Sequence, residues 1–288
     1  MVKRTRRRFR LRRRSLNLKR TLFLLPNLIT LSSVFCGFYS MVISTRATSE
    51  DDYYRAALLL VFAMFFDMLD GRVARMTKTQ SAFGLQIDSL ADVVSFGAAP
   101  ALLIHHWTLH QLGAVGLGVC FAYVACGTIR LARFNVLATA PSGEPAKPGA
   151  YIVGLPIPGA AGILVSIVVA NSAVQGAIGG PRYAAIILVV MALLAALMVS
   201  NVRFRSFKDL KLNARTVALV AFAIGTSTII ATQLKAAFVL VWLLGFYVLM
   251  GIFEWLWQIP RRLRERAHQV TATAQPAHET TPSKPPEE

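Results

Sequence analysis

Residues 67–92 read DMLDGRVARMTKTQSAFGLQIDSLAD, between the apolar runs "AALLLVFAMFF" and "VVSFGAAPALLI". Four aspartates and two arginines stand where a buried helix would carry leucine. Successive helical residues turn by about 100° and rise about 1.5 Å. Asp67, Gly71 and Ala74 then fall at i, i+4 and i+7, with Asp70 beside them, and Gly84, Asp88 and Asp92 at i, i+4 and i+8. Each set forms one stripe, and the "RMTKTQSAF" turn would bring the two stripes face to face. An aspartate deep in a membrane helix costs roughly 2.5–3.5 kcal/mol. Four unpaired ones would cost on the order of 10 kcal/mol, as much as a whole fold is stable by. Two arginines cannot neutralise four acids, so another cation is required. Hard carboxylate oxygens suit Mg²⁺, Mn²⁺ or Ca²⁺, and a pair of such ions clamping a phosphate is the economical chemistry. Gly71, Ala74 and Gly84 leave room for a flat group against the backbone.

The elements that must position these acids are membrane helices. The chain has 288 residues, is 55% hydrophobic and only 16% charged, with mean hydropathy +0.53, a balance that excludes an ordinary soluble domain pair. A spanning helix needs about 20 mainly apolar residues. Segments 27–45, 54–76, 81–106, 112–134, 154–172, 183–200, 214–232 and 236–257 qualify, the third despite Asp88 and Asp92. Residues 15–25 are expected to form a short surface helix ended by Pro26, rather than a cleaved leader. With the N-terminus inside, 27 of the 31 Lys and Arg face the cytoplasm, and only Arg46, Arg55, Arg182 and Lys235 face out. That asymmetry sets both termini and the acidic stripes at the cytoplasmic face.

The fold class is therefore an all-α polytopic membrane bundle of about eight spanning helices. Its expected divisions are a basic arm and juxtamembrane helix (1–25), a core (26–200), two additional helices (201–258) and a polar, Pro-rich tail (259–288). Eleven cations crowd the first 20 residues without interleaved aromatics. That pattern suits anionic lipid headgroups rather than nucleic acid. Cys36, Cys120 and Cys126 lie in apolar segments with no CxxC spacing, as small core residues do.

The spacing D-x2-D-G-x2-A-R-x8-G-x3-D-x3-D resembles the signature of the CDP-alcohol phosphatidyltransferases. It is complete here in Asp67, Asp70, Gly71, Ala74, Arg75, Gly84, Asp88 and Asp92. The resemblance spans about residues 20–200. It implies a six-helix catalytic core, a homodimer, a site at the cytoplasmic face of a bacterial-type inner membrane, and two divalent ions, Mg²⁺ or Mn²⁺, with Ca²⁺ as an alternative. It carries over Asp67, Asp70 and Asp88 as metal ligands, and Asp92 as general base and further metal contact. Gly71, Ala74, Arg75 and Gly84 carry over as the CDP-binding set.

The signature fixes the donor and leaves the acceptor alcohol open. "DSLADVVSFGAAPA", "RLARFN" and "GLPIPGAA" look like the phosphatidylserine synthase branch, and Val93 stands where glycerophosphate-accepting members more often have lysine. The implied reaction is attack by the serine hydroxyl on CDP-diacylglycerol, giving phosphatidylserine and CMP. Glycerol 3-phosphate is the nearest alternative acceptor. A divalent-cation transporter is a rival from another class, since facing aspartates also line ion paths. A basic membrane-tethered scaffold would leave the four acids without purpose. Arg130, Arg133, Asn135 and Ser95 are candidates for holding the acceptor or a lipid phosphate. The arginines could equally be positive-inside anchors, and Ser95 could bond its own helix backbone. His105, His106 and His110 fall at the far side of the membrane from the acids. "GLPIP" is expected mainly to start a helix.

Overall fold

A computed structural model describes residues 18–77, 79, 81–138, 151–174, 176–205, 225–232 and 238–251. Helix α1 (Leu18–Arg46) leads by a short turn into α2 (Glu50–Met76). Helix α3 (Ala82–Asp92) runs through a π-helical turn (Val93–Ala98) into α4 (Ala99–Trp107). A 3₁₀ turn at Leu109–Leu112 precedes α5 (Gly113–Ala138), followed by α6 (Ile157–Ala173) and α7 (Pro181–Val199). Shorter helices cover 225–232 and Phe238–Gly251. Among the described residues, four stretches are long and apolar enough to cross a membrane: Leu25–Arg46, Ala82–Trp107, Leu109–Val136 and Pro181–Val199. At 27 residues α2 has the length, about 40 Å, but carries Arg55, Asp67, Asp70, Arg72 and Arg75. The chain is an integral membrane protein built of helices.

Six of the eight expected spans coincide with these helices. The last two, 214–232 and 236–257, lie only partly within the described residues, and the arm before residue 18 and the tail beyond 251 lie outside them. Two expectations are corrected. Pro26 does not end a separate surface helix but lies inside α1. Proline removes one ladder bond, yet the helix continues through it to Arg46. The architecture also includes a small antiparallel ribbon, β1 (Tyr151–Val153) against β2 (Arg203–Arg205), with Tyr151 opposite Arg205 and Val153 opposite Arg203. This ribbon joins the entry of α6 to the exit of α7. Gly154 follows it at φ +80°, where a Cβ would lie 2.3 Å from the Met198 carbonyl oxygen, so "GLPIP" holds a close approach as well as a helix start. Pro158 stands in the first turn of α6, as expected, just after Pro156 at its N-cap position.

Without water to expel, membrane helices associate through close packing of small residues. Helix α1 presents such a stripe in Thr30, Ser33, Gly37, Ser40 and Ser44, whose four hydroxyl-bearing members are all buried. Helix α2 answers with buried Ala56, Ala57, Leu60 and Ala63, and the Ser40 hydroxyl donates to the Ala56 carbonyl at 2.8 Å. Tyr123 of α5 donates to the Phe96 carbonyl in the π-helical turn at 3.1 Å, which supplies a partner where the backbone ladder changes pitch. At the end remote from the acids, Glu50 accepts from Trp107 Nε1 (3.3 Å) and Asn171 Nδ2 (2.6 Å). That one carboxylate ties α2, α4 and α6 together.

A Cβ at Gly37 would lie 2.8 Å from the Ser95 Cα, whereas one at Gly118 would meet nothing within 4 Å. Gly37→Ala is expected to destabilise by about 1–3 kcal/mol, and Gly118→Ala to be neutral or stabilising by up to about 1 kcal/mol; unfolding midpoints in detergent micelles check both. At the start of α2, the backbone N–H of Thr48 and the Ser49 hydroxyl and N–H hold the Asp52 carboxyl below the usual carboxylate range. A depressed carboxyl adds stability above its unfolded value of about 4 and loses it as pH falls through the folded value. Asp52→Asn should therefore lower the midpoint at neutral pH, with the gap to the parent closing in melts run below about pH 4.

Candidate active site

The hairpin between α2 and α3 is closed by its own hydroxyls. Thr77 Oγ1 donates to the Val73 carbonyl at 2.7 Å and the Thr79 N–H to the Ala74 carbonyl at 3.1 Å. On the other side Ser81 caps α3, accepting from the Gly84 N–H at 3.0 Å, as N-cap serines do. The two stripes of aspartate thereby converge. One carboxylate oxygen from each of Asp67, Asp70 and Asp88 falls within a group whose members all lie within 4.8 Å of one another. Asp92 stands one helical turn beyond Asp88 on α3, and its Oδ1 is buried without a hydrogen-bond partner among the described residues. Asp70 itself is buried and accepts from the Thr30 hydroxyl of α1.

Four carboxyls this close repel one another, and one hydroxyl and one neighbouring arginine do not neutralise them. Clustered oxygen donors with an orphaned buried oxygen at their side fit a hard divalent cation. Gly71 adjoins this cluster with nothing within 4 Å of a would-be Cβ, so bare backbone borders open space there. Ala74 is half-buried and Arg75 exposed on the same helical end. At Gly84 a Cβ would come 3.2 Å from Ser81 Oγ and 3.8 Å from Asn27 Oδ1, which leaves a narrow gap between α3 and α1.

The remaining candidates separate. Arg130 of α5 joins the acids: it is buried, its charge acts directly on Asp92, and its guanidinium carbon lies 5.6 Å from the Phe134 ring centroid. Its Nε, like Asp92 Oδ1, is buried without a hydrogen-bond partner among the described residues. Arg133 points elsewhere, donating to Asn201 Oδ1 beyond α7 at 2.9 Å. Asn135 bridges to α3, donating to Ser89 Oγ at 2.9 Å. Ser95 is fully buried and faces Ser33 of α1 across 3.4 Å. In an α-helix a residue three past Asp92 would share its face. The π-helical turn, with its i→i+5 bonds, rotates Ser95 away toward α1. The histidines His105 and His106 stand at the Glu50 end of the bundle, where Tyr53 donates to the His106 carbonyl at 2.9 Å.

Sequence reasoning missed Thr30 and Asn27, both in the "PNLIT" stretch of α1. Polar residues recurring on the stripe continued by Ser33 and Ser40 were the available signal.

Comparison with known proteins adds an independent line. The CDP-alcohol phosphatidyltransferase family signature matches residues 23–196. A Helicobacter pylori (strain ATCC 700392 / 26695) CDP-diacylglycerol--serine O-phosphatidyltransferase is 37% identical over 235 residues, 82% of this chain and 92% of that protein. The enzyme of the same name from Bacillus subtilis (strain 168) is 31% identical over 64% of this chain and 91% of its own length. The Saccharomyces cerevisiae (strain ATCC 204508 / S288c) protein of that name is 41% identical over 45% of this chain and 48% of its own. With the aspartates of the signature gathered at one end of a membrane bundle, the chain belongs to the CDP-alcohol phosphatidyltransferase family.

Proposed function

We propose that the chain transfers the phosphatidyl group of CDP-diacylglycerol to the hydroxyl of L-serine, giving phosphatidylserine and CMP. The observation that carries this reading is the pair of orphaned buried atoms, Asp92 Oδ1 and Arg130 Nε, in the same neighbourhood as the carboxylate cluster. A lone acceptor oxygen suits a hydroxyl that must give up its proton. A spare guanidinium N–H suits a carboxylate on the same small molecule. Serine carries both groups, and the relatives named above share that acceptor in their names.

In this mechanism Asp67, Asp70 and Asp88, with Asp92 beside them, would hold divalent ions, Mg²⁺ or Mn²⁺ and two per site, which would supply positive charge to the diphosphate. The open backbone at Gly71, with Ala74, Arg75 and Gly84, receives the cytidine and its phosphates. Arg130 orients serine by its carboxylate. Asp92 takes the hydroxyl proton, the oxygen attacks the phosphorus that bears diacylglycerol, and the bond from that phosphorus to CMP breaks. The site faces the cytoplasm of a bacterial-type inner membrane, within a core of six helices spanning 26–200, in a homodimer.

Purified protein in detergent, given CDP-diacylglycerol, Mg²⁺ or Mn²⁺ and a panel of alcohols, should release CMP with serine; release with glycerol 3-phosphate and none with serine would overturn the assignment. Asp92→Asn should lower turnover by about 10²–10⁴-fold while leaving the unfolding midpoint near that of the parent. Chelation by EDTA should abolish turnover and Mn²⁺ restore it. Asp67→Asn, Asp70→Asn and Asp88→Asn should each weaken Mn²⁺ binding followed by calorimetry or spin resonance, a readout independent of catalysis.

A further inference from the structure

Helix α3 carries Asp88 and Asp92 on one face and is gripped by another. Near the end of α5, both ends of the Asn135 amide engage Ser89. Its Nδ2 donates to the Ser89 hydroxyl oxygen at 2.9 Å, and its Oδ1 accepts from the same hydroxyl at 3.1 Å. That Nδ2 also lies 3.5 Å from Gln86 Oε1. Gln86 and Ser89, three residues apart, share a flank turned roughly 100–160° from Asp88. Little else fixes how α3 is rotated about its own axis. Of its 11 residues only Ala91 is fully buried, while Phe83 and Leu90 are exposed. A polar clasp between two half-buried side chains therefore weighs more here than it would on a helix locked by packing.

The contacts between this rod and α5 run antiparallel in one register. Deeper in the bundle Tyr123 donates to the Phe96 carbonyl at 3.1 Å, and a Cβ at Gly97 would lie 3.9 Å from Val124 Cγ1. At the outer end Asn135 meets Ser89. Counting residues between these two fixed points brings Arg130 level with Asp92. We infer that Asn135 is a positioning residue: its clasp on Ser89 sets the rotation of α3, aiming Asp88 and Asp92 at α2 and keeping Asp92 level with Arg130. It acts through α3 and not by touching the acceptor. This deepens the phosphatidyl-transfer reading and rests on it for the roles of Asp88 and Asp92.

The test is a double-mutant cycle in detergent with Asn135→Ala, Ser89→Ala and their combination, with Val136→Ala, an exposed neighbour on α5, as the control. Each single variant should lower kcat about five- to tenfold, the size of one hydrogen bond lost. Mn²⁺ binding should weaken by a similar factor, and the acceptor KM should stay at the parent's value. The double variant should be no worse than the worse single one, as partners in one contact are. Ser89→Thr, which keeps the hydroxyl, should recover most of kcat. Amide exchange over residues 85–92 should quicken in both single variants and not in Val136→Ala. A raised acceptor KM with unchanged kcat in Asn135→Ala would mean direct contact with the acceptor and overturns the inference. So does a Ser89→Ala that matches the parent, or effects that multiply in the double variant. The parent enzyme separates the two questions. If it uses glycerol 3-phosphate and not serine, the serine reading falls, and the same variants assayed with glycerol 3-phosphate, Mn²⁺ and amide exchange still decide the role of Asn135.

Discussion

Four like charges gathered inside an apolar bundle are the constraint on which the rest of this structure depends. A carboxylate removed from water loses its solvation, and a neighbouring carboxylate makes the loss worse. The fold answers with what lies at hand: a threonine hydroxyl from α1 on Asp70, an arginine from α5 near Asp92, and a cluster of oxygens spaced to share a cation. None of these would hold without the scaffolding around them. The Thr30–Ser44 stripe brings α1 close to α2, and hydroxyl caps at Thr77 and Ser81 turn the hairpin. The destabilising part of the structure is therefore its working part, and the small residues around it supply the close packing that supports it.

The relation between the site and the membrane follows from the same constraint. At the opposite end of α2, Glu50 is satisfied by an indole and an amide, as a carboxylate in a structural role should be. Among the described residues, the only side-chain donor on the acids of the other end is the Thr30 hydroxyl on Asp70. One helix thus carries both kinds of carboxylate, about 26–30 Å apart along its axis. Their partners, rather than their residue type, separate support from chemistry.

Much of this was legible in the sequence because it rests on local periodicity. The i, i+4 spacing of Asp67, Gly71, Gly84, Asp88 and Asp92 placed the acids on two faces, and apolar length located six helices. What escaped depends on contacts distant in the chain. Nothing local says that Thr30 reaches Asp70, that residues 151–153 pair with 203–205, or that Arg130 and not Arg133 turns toward Asp92. Pro26 misled because a proline is weighed by the bond it removes, whereas α1 carries straight through it. Ser95 was ambiguous for a subtler reason: its face depends on the pitch of the helix, and a sequence does not announce a change of pitch.

That change of pitch gives the segment 93–98 a strict arithmetic. Upstream of it the helix counts in fours, so that Gly84, Asp88 and Asp92 look toward α2. Within it, Phe96 and Gly97 are turned inward among α5 and α6. The wide turn acts as a phase shifter between two rhythms in one rod. A residue added or lost within it would rotate everything beyond by about 100°, placing apolar wall where the acids look and carboxyls where the wall should be. Side chains along this rod can be exchanged one for another, but a change in their number there dismantles one face or the other.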